Sequence, residues 1–166
     1  GANRINPARA KWLIASAMVL VVTMLAPLTF ARARVFRNQE TLWNDVLAKS
    51  PSARQQAHDN LAVYYNRLGR TEEEVYHYTE SIKINPNFAE ARSNLGIALY
   101  RLHRVDEGIV QLREALRLRP DYAEAASNLG LLLAEKRQFA EAQELYRRAL
   151  KLNPAFAEAH FNLARL

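Results

Sequence analysis

The sequence predicts an all-α protein: one apolar membrane-spanning helix followed by an α-solenoid of antiparallel helix pairs. Three observations predict it. The phrase Asn-Leu-Gly or Asn-Leu-Ala returns every 34 residues, beginning at Asn60, Asn94, Asn128 and Asn162. Pro86, Pro120 and Pro154 keep the same 34-residue interval, each after an apolar run of helical period. Two unrelated markers in one register identify an internal repeat, and such units stack instead of enclosing a central core. The third observation is residues 12–31, twenty positions without a charge.

Composition narrows the class further. Five Gly, six Pro and 49% apolar residues in a chain of 166 suit helices joined by short turns. Cysteine is absent, which excludes disulfides, thiolate metal sites and cysteine catalysis. The net charge of +6 suggests nucleic acid until it is mapped. Arg4, Arg9, Lys11, Arg32, Arg34 and Arg37 account for it, since residues 1–37 contain no Asp or Glu and the rest is balanced at 17 basic and 17 acidic side chains. No basic stripe for a phosphate backbone remains, so nucleic acid is not an expected partner.

In chain order, residues 1–11 are a basic flank and residues 12–31 the expected transmembrane helix. Twenty residues at 1.5 Å rise match a hydrocarbon core of roughly 30 Å. Trp12 stands where an interfacial aromatic belongs, and Pro27 would kink the far end, which a membrane helix tolerates. A cleaved secretory signal is the competing reading, with Ala31-Arg32-Ala33 as its small-x-small site. A buried soluble helix is a third, weakened by the lack of a polar face. Three basic residues on each side leave the orientation open.

Residues 32–51 are a basic exit and a half repeat. Leu42, Trp43, Val46 and Leu47 share a helical face, and Trp43 aligns with Tyr78, Leu112 and Tyr146, so this helix is expected to cap the stack. The first full unit, residues 52–86, has a helix over 52–68, Gly69 as a left-handed stop, and Thr71-Glu72-Glu73-Glu74 as a capping box. The second, residues 87–120, turns at His103-Arg104. The third, residues 121–154, turns at Arg137-Gln138. Residues 155–166 are the first helix of a fourth unit, whose face of Phe156, Ala159, Leu163 and Leu166 would lack a cover. That face, and a chain opening on Gly1, suggest a window on a longer polypeptide or an end covered by a partner.

These residues resemble the tetratricopeptide repeat. The likeness covers residues 38–166 and rests on Leu95-Gly96 and Leu129-Gly130, on Gly108 and Ala142, on Ala115 and Ala149, and on the closing prolines. It implies a right-handed α-solenoid in which small residues let paired helices approach and Leu99, Leu112, Leu133 and Tyr146 fill the space between pairs. Glu74 and Ser81 stand where the family has alanines, so the first unit is expected to pack less tightly. The family's early Trp is replaced by His58, Arg92, Ala126 and His160.

Two finer likenesses follow. The repeats of O-linked N-acetylglucosamine transferase are similar in carrying an asparagine ladder that holds an extended peptide. By that resemblance Asn60, Asn94, Asn128 and Asn162 would line a concave groove, with Arg67 and Arg101 beside them and Glu135 in the third place. A carboxamide both donates and accepts, so it can match a peptide unit whatever its side chain. The alternative, asparagines that are common here and merely solvated, stays open. The junction, with Arg37-Asn38-Gln39-Glu40-Thr41-Leu42-Trp43 after an apolar span, is similar to the C-terminal region of membrane O-mannosyltransferase-like proteins, where the repeats are extracytoplasmic.

No bond-making constellation emerges. His58, His77, His103 and His160 form no helical metal-binding pair. His58 and His160 are expected against neighbouring helices, and His77 and His103 in solvent. There is no Gly-rich phosphate loop, nucleophile elbow or Asp-x-Asp pair. Glu72, Glu73 and Glu74 suit a helix start, and Tyr64, Tyr65, Tyr76 and Tyr78 suit packing. The expected function is therefore a membrane-anchored scaffold, in the bacterial inner membrane, that binds a protein or extended peptide and needs no cofactor or metal. The alternatives are the last span and repeat region of a polytopic membrane glycosyltransferase, or a single-span accessory subunit of a larger complex.

Overall fold

The computed structural model describes residues 39–166. The expected membrane helix at 12–31 lies outside them, and among the described residues no helix is long and apolar enough to cross a membrane. The first helix, α1, covers residues 39–49 and ends at Ser50, whose amide donates to the Val46 carbonyl at 2.8 Å. A 3-10 turn follows, Pro51–Ala53. Then come α2 (Arg54–Arg67), α3 (Thr71–Ile84), α4 (Ala89–Arg101), α5 (Val105–Leu118), α6 (Ala123–Glu135), α7 (Phe139–Leu152) and α8 (Ala157–Arg165). Pro51 lacks an amide donor, and the chain uses that turn before α2 starts two residues later than expected.

Each unit is a hairpin of two helices, and α2–α3, α4–α5 and α6–α7 are the closest pairs. Small residues make that approach possible. A Cβ built on Gly108 would lie 2.7 Å from the Gly96 carbonyl oxygen, so α4 and α5 touch backbone to backbone where neither residue has a side chain. Between units the large residues fill the space: Leu112 and Leu133 are fully buried, Tyr146 is 1% exposed and Tyr78 4%. Each contributes about 2 kcal/mol by leaving water. Leu112, Leu129, Leu132, Leu133 and Tyr146 form one cluster, and Ala62, Tyr78, Leu95 and Leu99 another.

The turn inside each unit is the same left-handed stop. Gly69 has φ +70°, and His103 and Arg137, one and two repeats on, take φ 60° and 59°. The repeat geometry therefore imposes on two ordinary residues a conformation that only the first unit assigns to glycine. At two of the four positions where the tryptophan is missing, the side chain bonds the carbonyl of the proline six residues before it. The Arg92 guanidinium donates to the Pro86 carbonyl at 2.9 and 3.0 Å, and the His160 ring bonds the Pro154 carbonyl at 2.9 Å.

Several expectations need correction. The first unit is not looser: α2 and α3 approach as closely as the later pairs. Phe156, just before α8, and Ala159 and Leu163 within it pack onto the cluster beneath them, and the exposed apolar residues there are Phe161 and Leu166. His160 is exposed and bound to its own turn. His77 is buried, with its Nδ1 2.9 Å from Nδ1 of His58 and its ring stacked on Tyr65. Tyr64, Tyr65 and Tyr78 are packed as expected, whereas Tyr76 is 57% exposed.

Candidate functional site

The later first helices meet one another directly, whereas α2 and α4 make no comparable contact. α4 touches α6 and α6 touches α8, while no comparable contact joins α3, α5 and α7 among the described residues. The stack therefore curves toward its first helices. On that inner side lies a groove of about 520 Å³.

Its apolar floor is made by Val63, Ile97 and Leu131, one each from α2, α4 and α6 and each 34 residues after the last. These lie three positions after Asn60, Asn94 and Asn128, so α4 and α6 each present a carboxamide and an apolar side chain on adjacent turns of the groove. The sequence reading missed this stripe, although its interval was the signal that would have found it. Tyr78 and Tyr100 complete the walls.

The four asparagines are not equivalent. Asn94 and Asn128 line the groove. Asn94 lies within hydrogen-bonding reach of the Tyr78 hydroxyl, and Asn128 donates to Ser93 Oγ at a long 3.4 Å, so neither is fully engaged within the protein. Asn60 instead donates to the Gln56 carbonyl of its own helix at 2.7 Å. Asn162 lines a smaller recess of about 190 Å³ further along, beside Tyr146, Glu135 and Arg165. Burial raises the Tyr78 hydroxyl well above its ordinary value and Tyr146 to about 12, so both stay neutral donors at physiological pH.

The two arginines also divide. Arg67 is exposed and makes no ion pair among the described residues. Arg101 donates through Nη2 to Glu74 Oε2 at 2.5 Å, and Asn66 donates to the other Glu74 oxygen at 2.9 Å. Glu74 is 2% exposed. This overturns the capping box: the residue before α3 is Arg70, no side chain caps the helix, and Glu74 points into the groove wall. Glu73 binds Arg70 instead.

A larger cavity of about 630 Å³ lies across α3, α4 and α5, lined by Val75, Ile82, Leu95 and Val110. Its cations are occupied: Lys83 by Glu80, Arg104 by Glu107, and Arg92 by Pro86 and Gln111. The inner groove is the better candidate because residues of one repeat register converge in it with carboxamide capacity to spare. No group of three or more metal-ligating side chains gathers among the described residues. Burial holds His58 below its ordinary value, against the opposing pull of Glu80.

Two family models match the sequence. One described as tetratricopeptide repeat matches residues 87–155, and one described as TPR repeat matches residues 63–102. No curated protein matches, and the likeness of the junction to O-mannosyltransferase-like proteins finds no support. Among solved structures, the crystal structure of MamA is similar at a TM-score of 0.73 and 22% identity, over 81% of this chain and 78% of that one. YrrB, described as a TPR protein with an unusual peptide-binding site, is similar at 0.70 and 19%, over 82% and 70%. The second TPR domain of human RPAP3, solved in complex with the HSP70 peptide SGPTIEEVD, is similar at 0.66 and 19%, over 70% and 97%. At these identities the likeness is one of fold.

Proposed function

We infer that this chain, whose residues 63–155 are tetratricopeptide repeats, is a scaffold that holds an extended segment of a partner protein in the groove along α2, α4 and α6. The observation that carries the reading is the pairing of Asn94 and Asn128, with hydrogen-bonding capacity left over, beside the stripe of Val63, Ile97 and Leu131. A peptide in extended conformation offers amides and carbonyls along its length and side chains on alternate faces. Carboxamides can satisfy the first, and the apolar stripe can take the second. Asn162 and the recess around it extend the same surface by one repeat.

The anchoring of this scaffold beside a membrane is a second part of the proposal, supported by the twenty uncharged residues 12–31 and their basic flanks. The test of the groove is the double substitution Asn94→Ala/Asn128→Ala. Both side chains lie on the groove and neither is fully engaged within the protein, so capture of peptides from a random display library should fall roughly tenfold. The melting temperature should move by no more than a few degrees. A large loss of stability would assign the asparagines to the fold and remove the reading.

A further inference from the structure

The groove has a sign. Its charged lining residues are Glu74, Arg101 and Glu158. Arg101 is held by Glu74, an ion pair that is internal to the wall, so the guanidinium does not offer an incoming carboxylate an unpaired cation. Glu158, from α8, is exposed and makes no ion pair among the described residues. The groove therefore presents one uncompensated carboxylate beside the carboxamides of Asn94 and Asn128 and the rings of Tyr78 and Tyr100. An acidic peptide such as SGPTIEEVD, seen with the second RPAP3 domain, brings two glutamates, an aspartate and a terminal carboxylate. Here it would approach Glu158, while the cation that lines this groove, Arg101, is already paired with Glu74.

We propose that the occupant of this groove is an extended internal segment carrying a lysine or arginine opposite Glu158, with an apolar side chain on the Ile97–Leu131 stripe, and that acidic C-terminal tails are refused. This rests on the groove being a peptide site. A basic side chain gains from Glu158 directly, and its charge can also lie over the half-buried ring of Tyr100. Like charge at the same point is repulsive, and Arg101 could swing out to relieve it only by stranding the buried Glu74 carboxylate.

The test uses the full chain, immobilised, and a random dodecapeptide display library, with selections run in parallel on the unaltered protein, on Asn94→Ala/Asn128→Ala and on Glu158→Lys. Peptides enriched on the unaltered protein and lost with the asparagines report the groove. The expected result is a net basic set whose members bind Glu158→Lys roughly fivefold more weakly, and weaken on the unaltered protein as salt rises. Synthetic SGPTIEEVD should bind the Glu158→Lys protein better than the unaltered one. An asparagine-dependent set that is acidic or neutral, or that ignores Glu158→Lys, overturns the charge preference and leaves the peptide groove standing. Enrichment with no dependence on Asn94 and Asn128 removes the groove reading, and this proposal with it. Circular dichroism melting of each variant separates loss of binding from loss of fold.

Discussion

Glu74 shows how one residue's meaning depends on partners far along the chain. It occupies the place that Gly108 and Ala142 fill in the next two units, where two helices meet and nothing large is needed. A carboxylate buried there is costly unless its oxygens are satisfied, and Arg101 and Asn66 each take one. Arg101→Ala should therefore destabilise the protein by about 2 kcal/mol, because it strands the carboxylate with a single neutral donor. Glu74→Ala, which restores the small residue of the other units and leaves Arg101 free to reach water, should cost less than about 1 kcal/mol. Urea unfolding of the two single variants and the double variant measures both. A larger loss for Glu74→Ala than for Arg101→Ala would mean that the carboxylate stabilises the fold and is not merely tolerated by it. The sequence showed Glu74 as a departure but misassigned it. Thr71 followed by three glutamates is a good local match to a capping box, while the arginine that decides the matter is 27 residues away.

At the scale of the element, the sequence was legible wherever a residue's role repeats. The helix pairs, their stops and their small-residue contacts all recur at 34, so seven helices from α2 to α8 could be placed to within two or three residues. Legibility failed where a unit is unlike its neighbours: at the 3-10 turn after Ser50, at the half-buried His58–His77 contact, and at the groove wall of the first unit. The glycine-to-glycine approach of α4 and α5 belongs to the second unit, and it gives the sharpest prediction. Gly108→Ala places a methyl group against the Gly96 carbonyl and the Leu132 side chain, each 2.7 Å from the new Cβ. The carbonyl belongs to a helix backbone and cannot turn aside, so α4 and α5 must separate. The expected loss is about 2 kcal/mol by thermal or urea unfolding. A variant as stable as the parent would show that the pair has slack, and that its closeness is not what holds the second unit together.

The whole molecule adds the question of where such a stack works. Contacts in a solenoid are between neighbours, so the repeats can keep their fold whatever precedes them, and the membrane attachment proposed for residues 12–31 would be a separable property. Its physical content is the free energy of placing an uncharged helix in hydrocarbon, which charged residues at mid-span remove at about 2.5–3.5 kcal/mol each. The unaltered chain should remain in the bacterial membrane pellet through an alkaline carbonate wash, whereas Leu20→Lys/Met24→Lys should release it to the supernatant with the melting of the repeats unchanged. Recovery of the unaltered chain in the supernatant would remove the anchor. A mature N-terminus at or just after Ala33 would replace it with a cleaved secretory signal. In either of those cases the groove keeps its chemistry, because Asn94, Asn128 and the Val63–Ile97–Leu131 stripe are fixed by contacts among α2 to α8 alone. What would change is the set of partners able to reach it. A scaffold tethered at the membrane meets its ligand at a raised local concentration and can work with weak contacts such as one glutamate and two carboxamides, while an untethered one must find the same segment by diffusion and needs tighter binding.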